Sequence, residues 1–194
     1  DDSLFFLNSY GSLYSINIDK MFVEWIVNLN QSLEINPGNL FYSEPLLITD
    51  NRIIISTNYE LYILNSSNGT INTKQPIISA VKPLVNDNNL FVITKDNLLV
   101  LIDLRNNQII YSLNIAKKLA DYLATKQKSI SIQSAFITNN KLLIFLDNSF
   151  VIELNVNGSI EGINKLPTKM KSMPIFINNS MIYLDKNNRI NILN

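Results

Sequence analysis

The sequence contains neither cysteine nor histidine. The first absence removes disulfides and thiol chemistry, and the second removes imidazole as a metal ligand or general base. Together they exclude Cys/His zinc sites and the Ser-His-Asp and Cys-His nucleophile systems on which most hydrolases depend. Glycine is scarce: Gly11, Gly38, Gly69, Gly158 and Gly162 are dispersed, and none forms a GxGxxG or a P-loop. Phosphate-cradling loops, and with them P-loop kinases and Rossmann-type dinucleotide enzymes, are therefore excluded. Charge of one sign is also missing. Lys plus Arg and Asp plus Glu number 16 each, and no basic stripe is present to neutralise phosphates, so no nucleic-acid partner is expected. No apolar run approaches the ~18 residues of a membrane span, so no transmembrane segment is expected. The opening DDSLFFLN lacks the basic start and apolar centre of a signal peptide.

What the chain does have is 46% hydrophobic residues against 16% charged over 194 positions, enough for a sizeable core. It also has a repeat. An apolar strand, a short polar turn, a second apolar strand and an Asn or Asp recur in SLFFLNSYGSLYSIN (3–17), RIIISTNYELYILN (52–65), LFVITKDNLLVLID (90–103), LLIFLDNSFVIELN (142–155) and SMIYLDKNNRINILN (180–194). The closing residues Asn17, Asn65, Asp103, Asn155 and Asn194 are spaced by 48, 38, 52 and 39 positions. Such a period belongs to one propeller blade of ~40 residues, with insertions in the two longer copies.

A further run precedes each pair, in PLLITD (45–50), KPLVND (82–87), SAFITN (134–139) and MPIFIN (173–178). Another follows it, in FVEWIVNL (22–29), TINTKQPI (70–77), QIIYSLNI (108–115) and SIEGINKL (159–166). Four short antiparallel strands make one blade. Segments such as RIII, LLVLI and KLLIF are apolar at consecutive positions, which predicts strands covered on both faces, as stacked blades are. The expected fold is all-β: a propeller of four-stranded antiparallel blades within a single domain, 1–194. The first unit lacks its first strand and the last stops after its third, giving three complete and two partial blades, about four blade equivalents. Open ends of this kind predict self-association or completion by further blades.

The wording of the repeat resembles the pyrroloquinoline-quinone-type propeller family. In that pattern a G-x-LYALD strand is followed, eight residues after its Asp, by Trp; here GSLYSIN (11–17) is followed by Trp25, and ELYILNSSNG (60–69) places Gly69 at the expected turn. The same offset lands on Thr73, Tyr111 and Ile163. The resemblance implies about eight blades in a closed ring, of which this chain is half. It also implies one of two roles. Quinone-dependent dehydrogenases of the family stack their quinone on a Trp near calcium and a catalytic Asp, with the cofactor site then in blades outside this chain. The propeller lipoproteins of the outer-membrane β-barrel assembly machine are non-enzymatic scaffolds. The residues carry no catalytic constellation, no cofactor site and no metal site, so the scaffold role is expected, with the barrel-assembly subunit as partner and a periplasmic or outer-membrane-associated location. A ligand-sensing periplasmic or lumenal domain is the remaining alternative. Trp25 is read as packing on the neighbouring blade, and Asp103, Asp147, Glu153 and Glu161 as turn and strand-end residues.

The two insertions, 31–41 and 116–130, both lie between blades, on the face that also carries the hairpins between second and third strands. Extra length on one face predicts a recognition surface. Within the second, IAKKLADYLATKQK (115–128) predicts a helix with Ile115, Leu119 and Leu123 in one apolar stripe and Lys117, Lys118, Asp121 and Lys126 opposite. Leu119, Tyr122 and Leu123, joined by Tyr59 and Asp96 on the matching hairpins, are the candidate partner-binding residues.

Overall fold

A computed structural model describes residues 3–30, 40–126, 128–178 and 180–193. The chain divides into two compact units, Asp1–Ser79 and Ala80–Asn194. In the first, β1 (Ser3–Leu7), β2 (Ser12–Asn17) and β3 (Phe22–Asn28) form blade 1, and β4 (Leu47–Thr49), β5 (Arg52–Ser56), β6 (Leu61–Asn65) and β7 (Ile71–Gln75) form blade 2. In the second, blade 3 is β8 (Leu84–Asn86), β9 (Asn89–Ile93), β10 (Leu98–Asp103) and β11 (Gln108–Asn114), followed by helix α1 (Ile115–Tyr122). Blade 4 is β12 (Ile132–Thr138), β13 (Lys141–Leu146), β14 (Phe150–Asn155) and β15 (Ile160–Lys165); blade 5 is β16 (Ile175–Ile177), β17 (Ser180–Leu184) and β18 (Ile190–Leu193). Every strand pairs antiparallel with its sequence neighbour, so each sheet is a meander of a propeller-like, all-β fold.

Asn17, Asn65, Asp103 and Asn155, which close the first four repeats, each end the strand next to the outermost one of their blade and shape the turn into that last strand. The Asn17, Asn65, Asp103 and Asn155 side chains accept from the backbone N–H of Lys20, Ser67, Arg105 and Asn157 respectively, at 2.8–3.0 Å. The last three, reaching two residues on, are Asx turns, and Asn17 reaches three residues on to the same end: a short polar side chain replaces a backbone partner and holds the reversal. Each is followed by a left-handed residue: Met21, Gly69, Asn107 or Gly158. Beyond the turn the fourth strand carries a β-bulge at one equivalent place in all four blades, between the cross-strand partners of Ser15 and Ile16, Ile63 and Leu64, Leu101 and Ile102, and Glu153 and Leu154.

Blade faces pack as the consecutive apolar residues require. In the first unit Leu13 of blade 1 meets Ile53, Ile55, Tyr62 and Leu64 of blade 2. In the second, Phe91, Ile93, Leu99 and Leu101 of blade 3 meet Leu142, Ile144, Ile152 and Leu154 of blade 4. A smaller cluster joins Phe145 and Val151 of blade 4 to Tyr183 of blade 5, with Leu166 and Met170 between.

Two expectations are corrected. The helix stops at Tyr122, six residues short of Lys128, because Ala124 turns left-handed (φ 50°) and the Thr125 N–H reaches back to the Ala120 carbonyl at 2.9 Å. The position equivalent to Trp25 in blade 4 is Gly162, not Ile163. Register places Trp25, Thr73, Tyr111 and Gly162 opposite Ser15, Ile63, Leu101 and Glu153. The turn after Asn155 is one residue shorter than the others, and the counted offset overshoots by that residue. Of the first insertion, 31–39 lies outside the described residues.

Candidate partner-binding face

Helix α1 begins where β11 ends. Asn114 caps it, its side chain accepting from the Lys117 N–H at 2.8 Å. The β9–β10 hairpin anchors the same point: the Asn97 carbonyl accepts from the Ile115 N–H at 3.0 Å, and the Asn97 amide donates to the Ile130 carbonyl at 3.3 Å. Asp96, exposed in that hairpin, is thereby held beside both ends of the insertion. The structure brings Asp96 and α1 together.

The apolar stripe of α1 divides along its length. Ile115 is fully buried and Leu119 half-buried against the core shared by blades 3 and 4. Tyr122 and Leu123, at the far end, are 52% and 50% exposed. The first two turns therefore seal the blade joint, and the last presents an aromatic and a leucine to solvent, flanked by exposed Lys118, Asp121 and Lys126. Tyr59 belongs to the first unit. It is 79% exposed at the tip of the β5–β6 hairpin, where the Thr57 hydroxyl accepts from the Tyr59 and Glu60 N–H groups at 3.2 and 3.0 Å. Beneath the tip, Glu60 pairs with Lys74 at 2.8 Å and accepts from the Tyr62 hydroxyl at 2.7 Å. The Lys74 ammonium, aided by that hydroxyl, holds the Glu60 carboxyl below its ordinary range.

The carboxylates singled out in the sequence serve local structure. Asp103 pairs with Arg105 at 2.7 Å, Lys141 lies 3.0 Å from Glu161 and 3.7 Å from Glu153, and Asp147 accepts from the Ser131 hydroxyl. Among the described residues no group of three or more His, Cys, Asp or Glu is placed to hold a metal ion, and no helix is long and apolar enough to cross a membrane.

Sequence reasoning located Trp25 but not its acceptor. The Trp25 indole donates to the Ser66 carbonyl of blade 2 at 3.1 Å and lies over Gly69, where a Cβ would come within 2.6 Å of the ring. Tyr111 repeats the device in the second unit, donating to the Val156 carbonyl of blade 4 at 2.9 Å beside Gly158. Burial pushes the Tyr111 hydroxyl up to about 12. The only sequence signal for the acceptor is the Asn followed by Gly three or four residues later, in 65–69 and 155–158. Blade 4, with Gly162 at the aromatic position, has no such side chain to place against blade 5. An open cleft of about 760 Å³ lies between those two blades, lined by Leu143, Phe145, Val151, Glu153, Phe176 and Met181 among others.

No protein-family model and no curated protein matches the sequence. Solved structures do match by fold. BamB from Moraxella catarrhalis superposes with a TM-score of 0.62 at 10% identity, over 99% of this chain and 66% of that one. The computationally designed Ika8 protein gives 0.69 at 11% identity over 99% of this chain and 55% of that one, and the designed Ika4 protein 0.56 at 11% over 78% and 90%. The fold is that of a BamB-like propeller, and the chain spans just under two thirds of BamB and about half of Ika8.

Proposed function

We propose that this chain is part of a non-enzymatic protein-interaction scaffold of the pyrroloquinoline-quinone-repeat propeller type. It acts in outer-membrane protein assembly, in the periplasm or at the outer membrane, and its partner is the barrel-assembly subunit. The observation that carries this reading is the fold likeness to BamB over 99% of the chain. The repeat wording around Gly11–Asn17 and Trp25 points the same way, and so does the exposed end of α1. Tyr122 and Leu123 form an apolar pair that the fold does not need for its own packing, on the side of blade 3 that carries Asp96. Aromatic residues presented this way are the usual anchors of protein interfaces.

The test is a crosslinking pull-down from envelope extract, with this domain in its full-length parent as bait, read by mass spectrometry. Recovery of the barrel-assembly subunit is expected from the wild type and is lost when Tyr122 and Leu123 are both replaced by Ser, with the melting temperature unchanged. Leu119→Ser is expected to lower the melting temperature, since Leu119 packs on the core. Failure of the wild type to recover that subunit contradicts the proposal.

A further inference from the structure

Charge is unevenly placed in this neutral chain. The first unit, 1–79, carries three Lys and Arg against eight Asp and Glu, and the second, 80–194, carries thirteen against eight. Within the second unit the excess lies at one end of the strands. In a meander of four antiparallel strands, the hairpin between the second and third and the connector to the next blade leave by the same end. Here the hairpins are 94–97, 147–149 and 185–189, and the connectors are 115–131 and 165–174. Together they hold ten Lys and Arg, all exposed, against four Asp. The rest of the unit holds three against four. Backbone bonds join these segments into one surface: the Ile115 N–H donates to the Asn97 carbonyl at 3.0 Å, Asp147 to Ser131 at 3.0 Å, Leu166 to Ser149 at 2.8 Å and Lys186 to Lys169 at 3.0 Å. No stretch of sequence shows the cluster, because five loops contribute to it.

The cations at this end are not neutralised within the fold. Arg105 and Lys141, at the opposite end, pair with Asp103 and with Glu153 and Glu161, whereas among the described residues none of the ten forms an ion pair with a carboxylate. Two of the four Asp are committed to local structure: Asp185 accepts from the Asn187 and Arg189 N–H groups at 2.8 and 2.9 Å, and Asp147 accepts from the Ser131 hydroxyl. Lys169 and Lys186 are brought side by side by their backbone bond, and the Lys169 ammonium holds that of Lys186 below its ordinary range. Like charges set together in this way are relieved by an external anion.

We infer that this end of the second unit docks on an anionic lipid surface. The inference goes beyond the protein contact of Tyr122 and Leu123 and does not rest on it. Charge complementarity carries it, and the kind of cation selects the occupant. Nine of the ten are Lys. Protein interfaces favour the fixed fork of Arg and deplete Lys, whereas a layer of lipid headgroups is met by hydrated point charges spread over a wide area. Composition bias does not explain the pattern, since the first unit contains two Lys in 79 residues.

Vesicle co-sedimentation of the full-length parent tests this, with vesicles of equal parts phosphatidylglycerol and phosphatidylethanolamine and with vesicles of phosphatidylcholine alone. The parent is expected to bind the first more tightly than the second, and to lose that preference as salt rises to about 0.5 M. Each Lys beside an anionic surface is worth about fivefold in affinity, so Lys169→Gln/Lys186→Gln is expected to weaken binding to the anionic vesicles about thirtyfold. Lys20→Gln/Arg105→Gln removes the same net charge from other parts of the chain and is expected to change it by less than about twofold. Lys169 and Lys186 are exposed and repel one another, so the melting temperature of their double variant should not fall. Equal affinity for the two kinds of vesicle overturns the proposal. So does an equal loss in both double variants, which would report net charge alone. Binding to an oligoglutamate peptide with no preference for anionic vesicles would assign the surface to an acidic protein and likewise overturn it.

Discussion

The joint between blades 3 and 4 is closed, whereas the joint between blades 4 and 5 holds an open cleft, although the strands on either side follow one pattern. At the closed joint the fourth-strand position is Tyr111, which crosses to the Val156 carbonyl and fills the space over Gly158. The corresponding position at the open joint is Gly162, which crosses to nothing and faces Glu153. A repeat fold thus has its backbone set by turns and bulges that recur in every blade. How tightly two blades are joined is set at a few positions where copies differ. The helix adds to the difference, since Ile115 and Leu119 pack into the core of the closed joint.

The largest expected effect comes from exchanging the two glycines' fates. Gly158 has φ 83°, and a Cβ there would overlap Leu113 Cδ2, so Gly158→Val combines backbone strain with overpacking and should cost about 3 kcal/mol. At Gly162 a Cβ meets nothing nearer than 3.9 Å, so Gly162→Val should be neutral within about 0.5 kcal/mol. Urea unfolding of the two variants checks the pair; equal losses would erase the distinction between the joints.

A smaller effect is expected from Tyr111→Phe, which removes one hydrogen bond and should cost about 1 kcal/mol. The variant also sharpens the comparison through pH. The Tyr111 hydroxyl titrates near 12 when folded against an ordinary 10.0. Its folded value is raised, so its contribution is fully present below pH 10 and is lost as pH rises toward 12. Thermal melts across that range should show an alkaline loss in the wild type that Tyr111→Phe lessens.

The closing Asn17, Asn65, Asp103 and Asn155 were legible in the sequence because a side-chain-held turn needs a particular side chain at a particular place, and strand edges followed from apolar runs between such turns. The three complete and two partial blades were legible for the same reason. The equivalence of Gly162 with Trp25 was not, because it depends on a turn one residue shorter, and a fixed offset carries no information about register. The end of α1 was hidden since Ala124 is an ordinary helix former that turns left-handed here. Leu119 and Leu123 share one stripe by periodicity, and only the extent of blade 4 beneath the helix separates the half-buried one from the exposed one. The carbonyls that receive Trp25 and Tyr111 are backbone groups, which every residue carries.

The most direct test of the scaffold account places a photo-crosslinking amino acid at Tyr122 in the full-length parent, and in a second protein at Ile109, which is equally exposed on the fourth strand of blade 3. The account predicts an adduct with the barrel-assembly subunit from position 122 and none from 109. An adduct from 109 alone, or from neither position, would contradict it.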